Sequence, residues 1–362
     1  MIIGVDGNEA NVEKRVGVSV YTLNLLKYFK KQSNKDIKFK IYLKNSPLSD
    51  LPDQDNFFQY KVVPGKFFWS QIYLPLQLYQ KKDIDVFFSP AHYIPRFCPV
   101  PTVVTIHDLA YFYFEKDFLK KDLYQLKSWT KYSVNKSVKI IAVSESTKKD
   151  LIKSYGIPEN KIEVVYNGGP RCHPERGSAS WRRRVEGSPY ILYVGTLQPR
   201  KNINTLIEAF RKFRQIYSEF RLVIAGKSGW LYKKMPQKGI YYPGYVTDSQ
   251  LKYLYKNAFC LVLPSFYEGF GLPVLEAMSF GCPTIVSRSS SLTEVGGDAS
   301  LYFNPRDSHD LVEKLTLLKE HPELRKELIE KGYLQIKKFS WENCGKQTLK
   351  VIKKTVLIKD SL

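Results

Sequence analysis

Twice along its 362 residues the chain alternates short apolar runs with longer stretches whose apolar residues recur at helical spacing. In the first half IIGVDG, FKIYLK, YKVV, VFFSP, TVVTIHD and KIIAVS read as strands. VSVYTLNLLKYFKK, a long stretch near 117–136 and a segment capped by Ser144, with Ser146 and Thr147 beside it, read as helices. The second half repeats the scheme: strands YILYVG, RLVIAG, CLVLP and TIVS, with helices from Asn204 to about Tyr217, through DSQLKYLYKNA, and around Glu276. Alternation of this kind implies parallel sheets covered on both faces. The predicted fold class is therefore α/β, two Rossmann-like doubly wound domains facing a cleft, with ligands at the C-terminal strand ends. Residues 167–188, rich in glycine, proline, serine and charge, read as the linker between domains 1–166 and 189–339. A final helix near 340–356 follows the second domain.

The segment FYEGFGLPVLEAMSFGCPTIVS carries the most chemistry. Gly269 and Gly271 allow close backbone approach, and Pro273 suits the first turn of a helix from Val274 to about Phe280, stopped by Gly281 and Pro283. Free N–H groups at such a helix start favour a phosphate. Glu268 stands before that start and Glu276 about one turn inside it, so both carboxylates can face one pocket and accept bonds from sugar or ribose hydroxyls. That combination suits a nucleotide sugar; a glycine-rich loop with two solvated glutamates is the plain alternative. Arg200 and Lys201 follow the strand YILYVG in a loop placed to reach a pyrophosphate, or they form an exposed basic turn. His107 and Asp108 end the strand TVVTIHD, with Asp108 either orienting the histidine or capping the next segment. No further ligand spacing nearby supports a metal. Gly17 lies in the first strand-to-helix turn, with Ser19 expected as the N-cap. Tyr245 and Val246 follow Gly244 before a helix starting near Asp248, a turn that suits a nucleobase. GVDGNEANVEKRVG contains no G-x-G-x-x-G, so a dinucleotide cofactor is unsupported.

The E-x7-E spacing with its intervening GFGLPVLEAM resembles the signature of retaining glycosyltransferase family 4, which has the GT-B fold. GTLQPRKNI, PGYVTDSQL, VVTIHDLAYFYF and FSWENCGKQTL agree in the order the family shows, and the likeness covers nearly the whole chain. The tone is that of bacterial mannosyltransferases of lipopolysaccharide or capsule synthesis. The resemblance implies transfer of a hexose, best guessed as mannose from GDP-mannose, to a hydroxyl of a glycan or lipid-linked glycan with retention at the anomeric carbon. It implies that Glu268 and His107 hold the transferred sugar, Glu276 the ribose, and Arg200 and Lys201 the leaving diphosphate, with no metal. Gly17, Tyr245, Val246, Gly269, Phe270, Gly271 and Leu272 would line the donor site. It also implies that the final helix packs back across the first domain. Thr196 departs from relatives that carry an arginine after this glycine, which leaves Arg200 as the second cation.

Fifty-six Lys and Arg against 35 Asp and Glu give a net charge of +21, which suits an anionic partner. A nucleotide-sugar donor and an anionic membrane face both meet that description. A nucleic-acid partner is the weaker reading, since no basic–aromatic module is present and Arg182, Arg183 and Arg184 read as a solvated helix face. An epimerase or hydrolase acting on a nucleotide sugar is the alternative within the same fold. Five scattered cysteines without a CxxC pair, and no apolar run of the ~20 residues that span a bilayer, point to the cytoplasm with at most peripheral contact on the inner face of the plasma membrane. Phe67, Phe68, Trp69, Ile72, Tyr73 and Leu74, flanked by Lys66, Lys81 and Lys82, could face that membrane; the expectation for such a segment is a buried helix. Lys30 and Lys31 are weaker candidates for the same contact.

Overall fold

The computed structural model describes residues 1–15, 17–169, 187–227, 229 and 237–359. Most of the linker segment 167–188, including Cys172 and Arg182–Arg184, lies outside them. The chain divides into two compact units, Met1–Gly168 with Phe339–Leu362, and Gly169–Lys338.

The first unit is built on strands β1 (Ile2–Asp6), β2 (Lys38–Leu43), β3 (Phe58–Val62), β4 (Val86–Ser89), β5 (Thr102–Ile106), β6 (Lys139–Ala142) and β7 (Ile162–Val164). They pair in the order β3-β2-β1-β4-β5-β6-β7, every pair parallel. Its helices are α1 (Val18–Gln32), α2 (Tyr73–Lys81), α3 (Ala110–Tyr113), α4 (Lys120–Lys136) and α5 (Glu145–Tyr155). The second unit has β8 (Tyr190–Val194), β9 (Arg221–Ala225), β10 (Ile240–Gly244), β11 (Cys260–Leu263), β12 (Thr284–Ser287) and β13 (Ser300–Phe303), in the order β10-β9-β8-β11-β12-β13. Between these strands run α6 (Ile203–Ile216), α7 (Asp248–Asn257), α8 (Leu272–Ser279) and α9 (Leu292–Gly296); α10 (Ser308–Glu320) and α11 (Pro322–Gln335) follow β13, and α12 (Trp341–Lys359) comes after them.

Both sheets are doubly wound, because strand order reverses between β1 and β4 and again between β8 and β11. Strands buried on both faces read as near-continuous apolar runs, and β4, β5, β11 and β12 are buried throughout, with only small Ser and Thr residues as their polar members. In the first unit Tyr21, Leu25, Leu26 and Phe29 of α1 share one core with Cys344, Leu349, Val351 and Ile352 of α12. Each such side chain contributes about 1.5–3 kcal/mol when removed from water, so α12 is a structural part of this unit. Caps set the helix starts. Ser144 Oγ accepts from Thr147 N, and Thr247 and Gln250 form a reciprocal capping box on α7.

Two expectations fail here. Ser19 does not cap α1; Gly17 is its N-cap, with φ 50°, and Ser19 is buried one residue inside the helix. The segment around Phe67–Leu74 is not a buried helix. A left-handed Phe68 (φ 55°) breaks it into the turn Trp69–Gln71 and the short α2. Only one stripe, Trp69, Leu74 and Leu78, reaches the core at Tyr42, Val63 and Phe87. Phe67 is left 81% exposed, and Phe68, Ile72, Tyr73, Leu76 and Tyr79 are also open. An apolar run shows that a helix has an apolar face; here it has two, and the broken helix buries one.

Candidate active site

In the second unit the strand order reverses between β8 and β11, and open parallel sheets bind ligands at the C-terminal side of such a point. The loop after β8 carries Arg200 and Lys201; the loop after β11 carries Glu268. Topology therefore brings together residues 67 positions apart. Lys201 Nζ donates to both carboxylate oxygens of Glu268, at 2.7 and 2.6 Å, and Ser265 Oγ donates to Oε1 at 2.7 Å. Arg200 Nη1 donates to the Tyr267 carbonyl at 3.3 Å, while Phe266 N donates to the Arg200 carbonyl at 3.0 Å. The side chains of Lys201 and Glu268 are only 13% and 12% exposed, so this is a nearly dry ion pair. Burial alone pushes the Glu268 carboxyl up, but the charges of Lys201 and Arg200 and its hydrogen bonds outweigh this and hold it below the usual carboxylate range.

A row of serines after β12 fixes the Glu268 loop. Glu268 N donates to Ser290 Oγ at 2.8 Å, and Ser291 Oγ donates to the carbonyls of Glu268 and Phe270 at 2.8 and 3.0 Å. The sequence signal was present in SRSSS, but nothing in it named the loop the serines serve. Gly271 caps α8 at φ 102°, where an added Cβ would also sit 2.7 Å from Leu292 Cδ2, so only glycine fits. Pro273 has no N–H and Val274 N is bonded back to the Gly271 carbonyl at 2.9 Å, which reduces the donors expected at this helix start.

Glu276 sits apart from the Lys201 pair in its bonding. Its Oε2 accepts from Tyr255 OH on α7 at 2.7 Å, a partner the sequence did not reveal. Burial pushes its carboxyl up, the tyrosine bond pulls it down and Asp248 raises it further; the net is a rise. The two glutamates thus have opposite environments, one charged against a lysine and one poorly solvated against a phenol. Tyr245 stands 44% exposed with Lys227 Nζ 5.1 Å over its ring, after a turn in which Gly226 N donates to the Gly244 carbonyl at 2.8 Å. Val246 packs against the core around Tyr190, Leu254 and Leu261.

His107 and Gly17 belong to the first unit. His107 directly follows β5, and its Nε2 lies 2.7 Å from the Pro90 carbonyl. A carbonyl only accepts, so Nε2 carries the proton and Nδ1 the lone pair. The ring stands edge-on to Tyr21 of α1 at 4.8 Å, and burial drives its pKa down to about 4, so it is neutral at physiological pH. Asp108 caps the following turn, accepting from Ala110 N at 3.0 Å. Among the described residues no group of three or more His, Cys, Asp or Glu is placed to hold a metal ion.

Residues 16–169 match the family described as Glycosyltransferase Family 4, and residues 180–335 match the one described as Glycosyl transferases group 1. The O-antigen chain mannosyltransferase B of Escherichia coli is 32% identical over 289 residues, 74% of this chain and 74% of that protein. The chain belongs to glycosyltransferase family 4. Its two parallel sheets are those of the GT-B fold, and the enzyme is a glycosyltransferase. Among solved structures it is similar to sucrose-phosphate synthase (tll1590) from Thermosynechococcus elongatus, with TM-score 0.74 and 16% identity over 98% of both chains. Anabaena Alr3699/HepE, solved in complex with UDP-glucose, superposes with TM-score 0.73 at 14% identity, covering 98% of this chain and 99% of that one. At these identities the two structures show the fold of this family 4 enzyme.

Proposed function

We propose that this glycosyltransferase moves a hexose, mannose from GDP-mannose, to a hydroxyl of a glycan or lipid-linked glycan with retention of anomeric configuration and without a metal ion. The observation that carries the reading is the Lys201–Glu268 pair with Arg200 beside it, a preorganised positive site at the point where the sheet reverses. As the bond from the anomeric carbon to the diphosphate oxygen breaks, charge grows on the leaving diphosphate, and Lys201 and Arg200 stabilise it. The acceptor oxygen bonds to the anomeric carbon on the same face, and its proton passes to the departing diphosphate. Glu268 keeps Lys201 charged and in place and takes a hydroxyl of the donor sugar; Glu276 takes the ribose. Mannose as the sugar is supported by the name of the E. coli relative, and a nucleotide sugar as donor by the ligand of the Anabaena protein. A thermal-shift panel of GDP, UDP, dTDP and their sugars, followed by product analysis with GDP-mannose, tests this. A ligand at 100 times its Kd stabilises by about 2.7 kcal/mol. No shift with any nucleotide or nucleotide sugar would sink the donor reading, and activity lost in EDTA and restored by Mg²⁺ would sink the metal-free one.

The enzyme's acceptor side works in the cytoplasm against an anionic membrane surface on the same proposal. No helix among the described residues is long and apolar enough to cross a membrane. The open aromatic face at Phe67 and Phe68 continues through Trp129, 5.9 Å from Phe68, and a second open ring, Phe97 at 72% exposure, follows Arg96, which stacks on Tyr132 at 5.1 Å. Lys66, Lys81 and Lys82 flank the segment in sequence and are exposed, so rings to enter the interface and charges to meet anionic headgroups lie on the same short stretch of chain. Sedimentation with phosphatidylglycerol vesicles should show binding that fades from 0.1 to 1 M salt, as the screening length falls from ~10 to ~3 Å. Equal binding to neutral phosphatidylcholine, or none to either, removes the membrane contact.

A further inference from the structure

We propose that His92, on the loop after β4, binds a sugar hydroxyl jointly with His107, so that the site holds a matched donor–acceptor pair of neutral imidazoles. The inference rests on the reading of His107 as a contact to the transferred sugar. In the first unit the strand order reverses between β1 and β4, so the loop after β4 borders the ligand-binding end of that sheet. His92 is held there in a left-handed backbone conformation, φ 47°, by a bond from its N–H to the Thr105 carbonyl at 2.9 Å. Left-handed residues other than glycine are uncommon, and where they occur they cluster at functional sites. The conformation lays the imidazole beside His107, with ring centroids 5.7 Å apart and planes inclined at 44°.

The nitrogens divide the work. His92 Nδ1 is buried and has no hydrogen-bond partner among the described residues. A bare buried lone pair is tolerated better than a bare buried N–H, so the proton sits on Nε2, which makes no bond among the described residues and is not enclosed. Burial also holds His92 below its ordinary pKa; Asp108 opposes this more weakly, and no other charged group outweighs the burial. His107 is the mirror case, since Nε2–H is spent on Pro90 and Nδ1 is left as an acceptor. A hydroxyl donates one hydrogen bond and accepts others. One hydroxyl can therefore donate to His107 Nδ1 and accept from His92 Nε2–H. The two rings are neighbours, with centroids 5.7 Å apart, so one small polar group beside both can meet them together. Burial outweighs the nearby Asp108 at both rings, so the pair is neutral and suits the hydroxyl of a polyol. Sequence reasoning passed over His92, because a histidine in SPAHYIPRF has no spacing that sets it apart.

His92→Asn keeps a residue that tolerates the left-handed backbone but withdraws the outer nitrogen, whereas His92→Gln keeps an N–H at the reach of Nε2. With GDP-mannose, or with UDP-glucose if the wild type turns over only that donor, His92→Asn should lower kcat/KM about fivefold to tenfold. His92→Gln should recover most of it, and Kd for the bare nucleoside diphosphate should stay within twofold in both. The His92→Asn/His107→Asn double variant should lose little more than the worse single one, because both contacts meet at one hydroxyl. A folded His92→Asn enzyme within twofold of wild type overturns the proposal, as does loss of bare-diphosphate binding. If the Asn variant does not fold, His92→Gly, which accepts this backbone most freely, decides by the same criteria. Loss in His107→Asn with none at His92 ends this inference alone. A wild type that transfers no sugar ends the reading beneath it.

Discussion

The two sheets end in opposite chemistry. At the reversal point of the second unit Lys201 and Glu268 form a charged, nearly dry pair whose partners are supplied by Ser265 and the loop of Arg200. At the corresponding end of the first unit His107 and His92 are neutral, and buried polar capacity is left unmet. The same topology thus carries a site tuned to changing charge and one tuned to hydroxyls. Electrostatic groups must be fixed before the reaction to be worth much, which explains the dense bonding around Glu268. Hydroxyl-binding groups must keep an open valence until the ligand arrives.

Breaking the charged end should have the largest effect. Lys201→Ala should lower kcat/KM by about 10²–10³-fold, the cost typical of removing one preorganised donor to a developing charge. It should also destabilise the protein by about 3–5 kcal/mol, because Glu268 is left charged and buried. The two effects separate in Lys201→Met/Glu268→Gln. That double variant should regain most of the melting temperature and none of the activity, read by calorimetry and a transfer assay. Recovery of both would make the pair merely structural.

Legibility followed the same divide. Strands such as VFFS, TVVTI, CLVL and TIVS were plain in the sequence because full burial leaves them short apolar runs broken only by small Ser and Thr. The strands IEV, IYYPG and SLYF were not read, being short or carrying proline and glycine, and the helices between 292 and 335 were passed over. Glu268, Glu276, Arg200, Lys201 and His107 could be singled out individually, since each stands at a strand end, in a turn or, for Glu276, about one turn inside a helix, with recognisable chemistry. Their partners could not. Tyr255 for Glu276, Ser290 and Ser291 for the Glu268 loop, and His92 for His107 arise from strand order and side-chain direction, which local spacing does not encode. The outward turn of Phe67 and Phe68 depends likewise on one left-handed residue.

The two glutamates sharpen the comparison at intermediate size. Glu276→Ala should weaken binding of bare GDP about 10- to 150-fold, since hydrogen bonds to a charged carboxylate contribute roughly 1.5–3 kcal/mol. Glu268→Ala should spare bare GDP or strengthen it, because Lys201 loses its competing partner, while transfer falls. Calorimetric titration of both variants decides the matter; equal loss of GDP affinity would mean the carboxylates act on the same group.

The smallest effect concerns protons at the histidine end. His107 titrates near 4 in the folded protein against about 6.5 in the unfolded chain. Between these values the unfolded state binds more protons, so this residue's contribution to stability rises with pH from about 4 to 6.5 and is lost as pH falls through that window. One proton difference amounts to at most about 1.4 kcal/mol per pH unit. His107→Gln retains an N–H for the Pro90 carbonyl and removes the titration. The difference in stability between wild type and this variant should therefore shift in the variant's favour below pH 6.5 and be constant above it. The kcat/KM of the wild type should show no ionisation of His107 between pH 6 and 8. A rate that rises or falls with a pKa near 6.5, abolished in His107→Gln, would mean that the imidazole is solvated and exchanges protons, and the contrast between a charged end and a neutral end would fail.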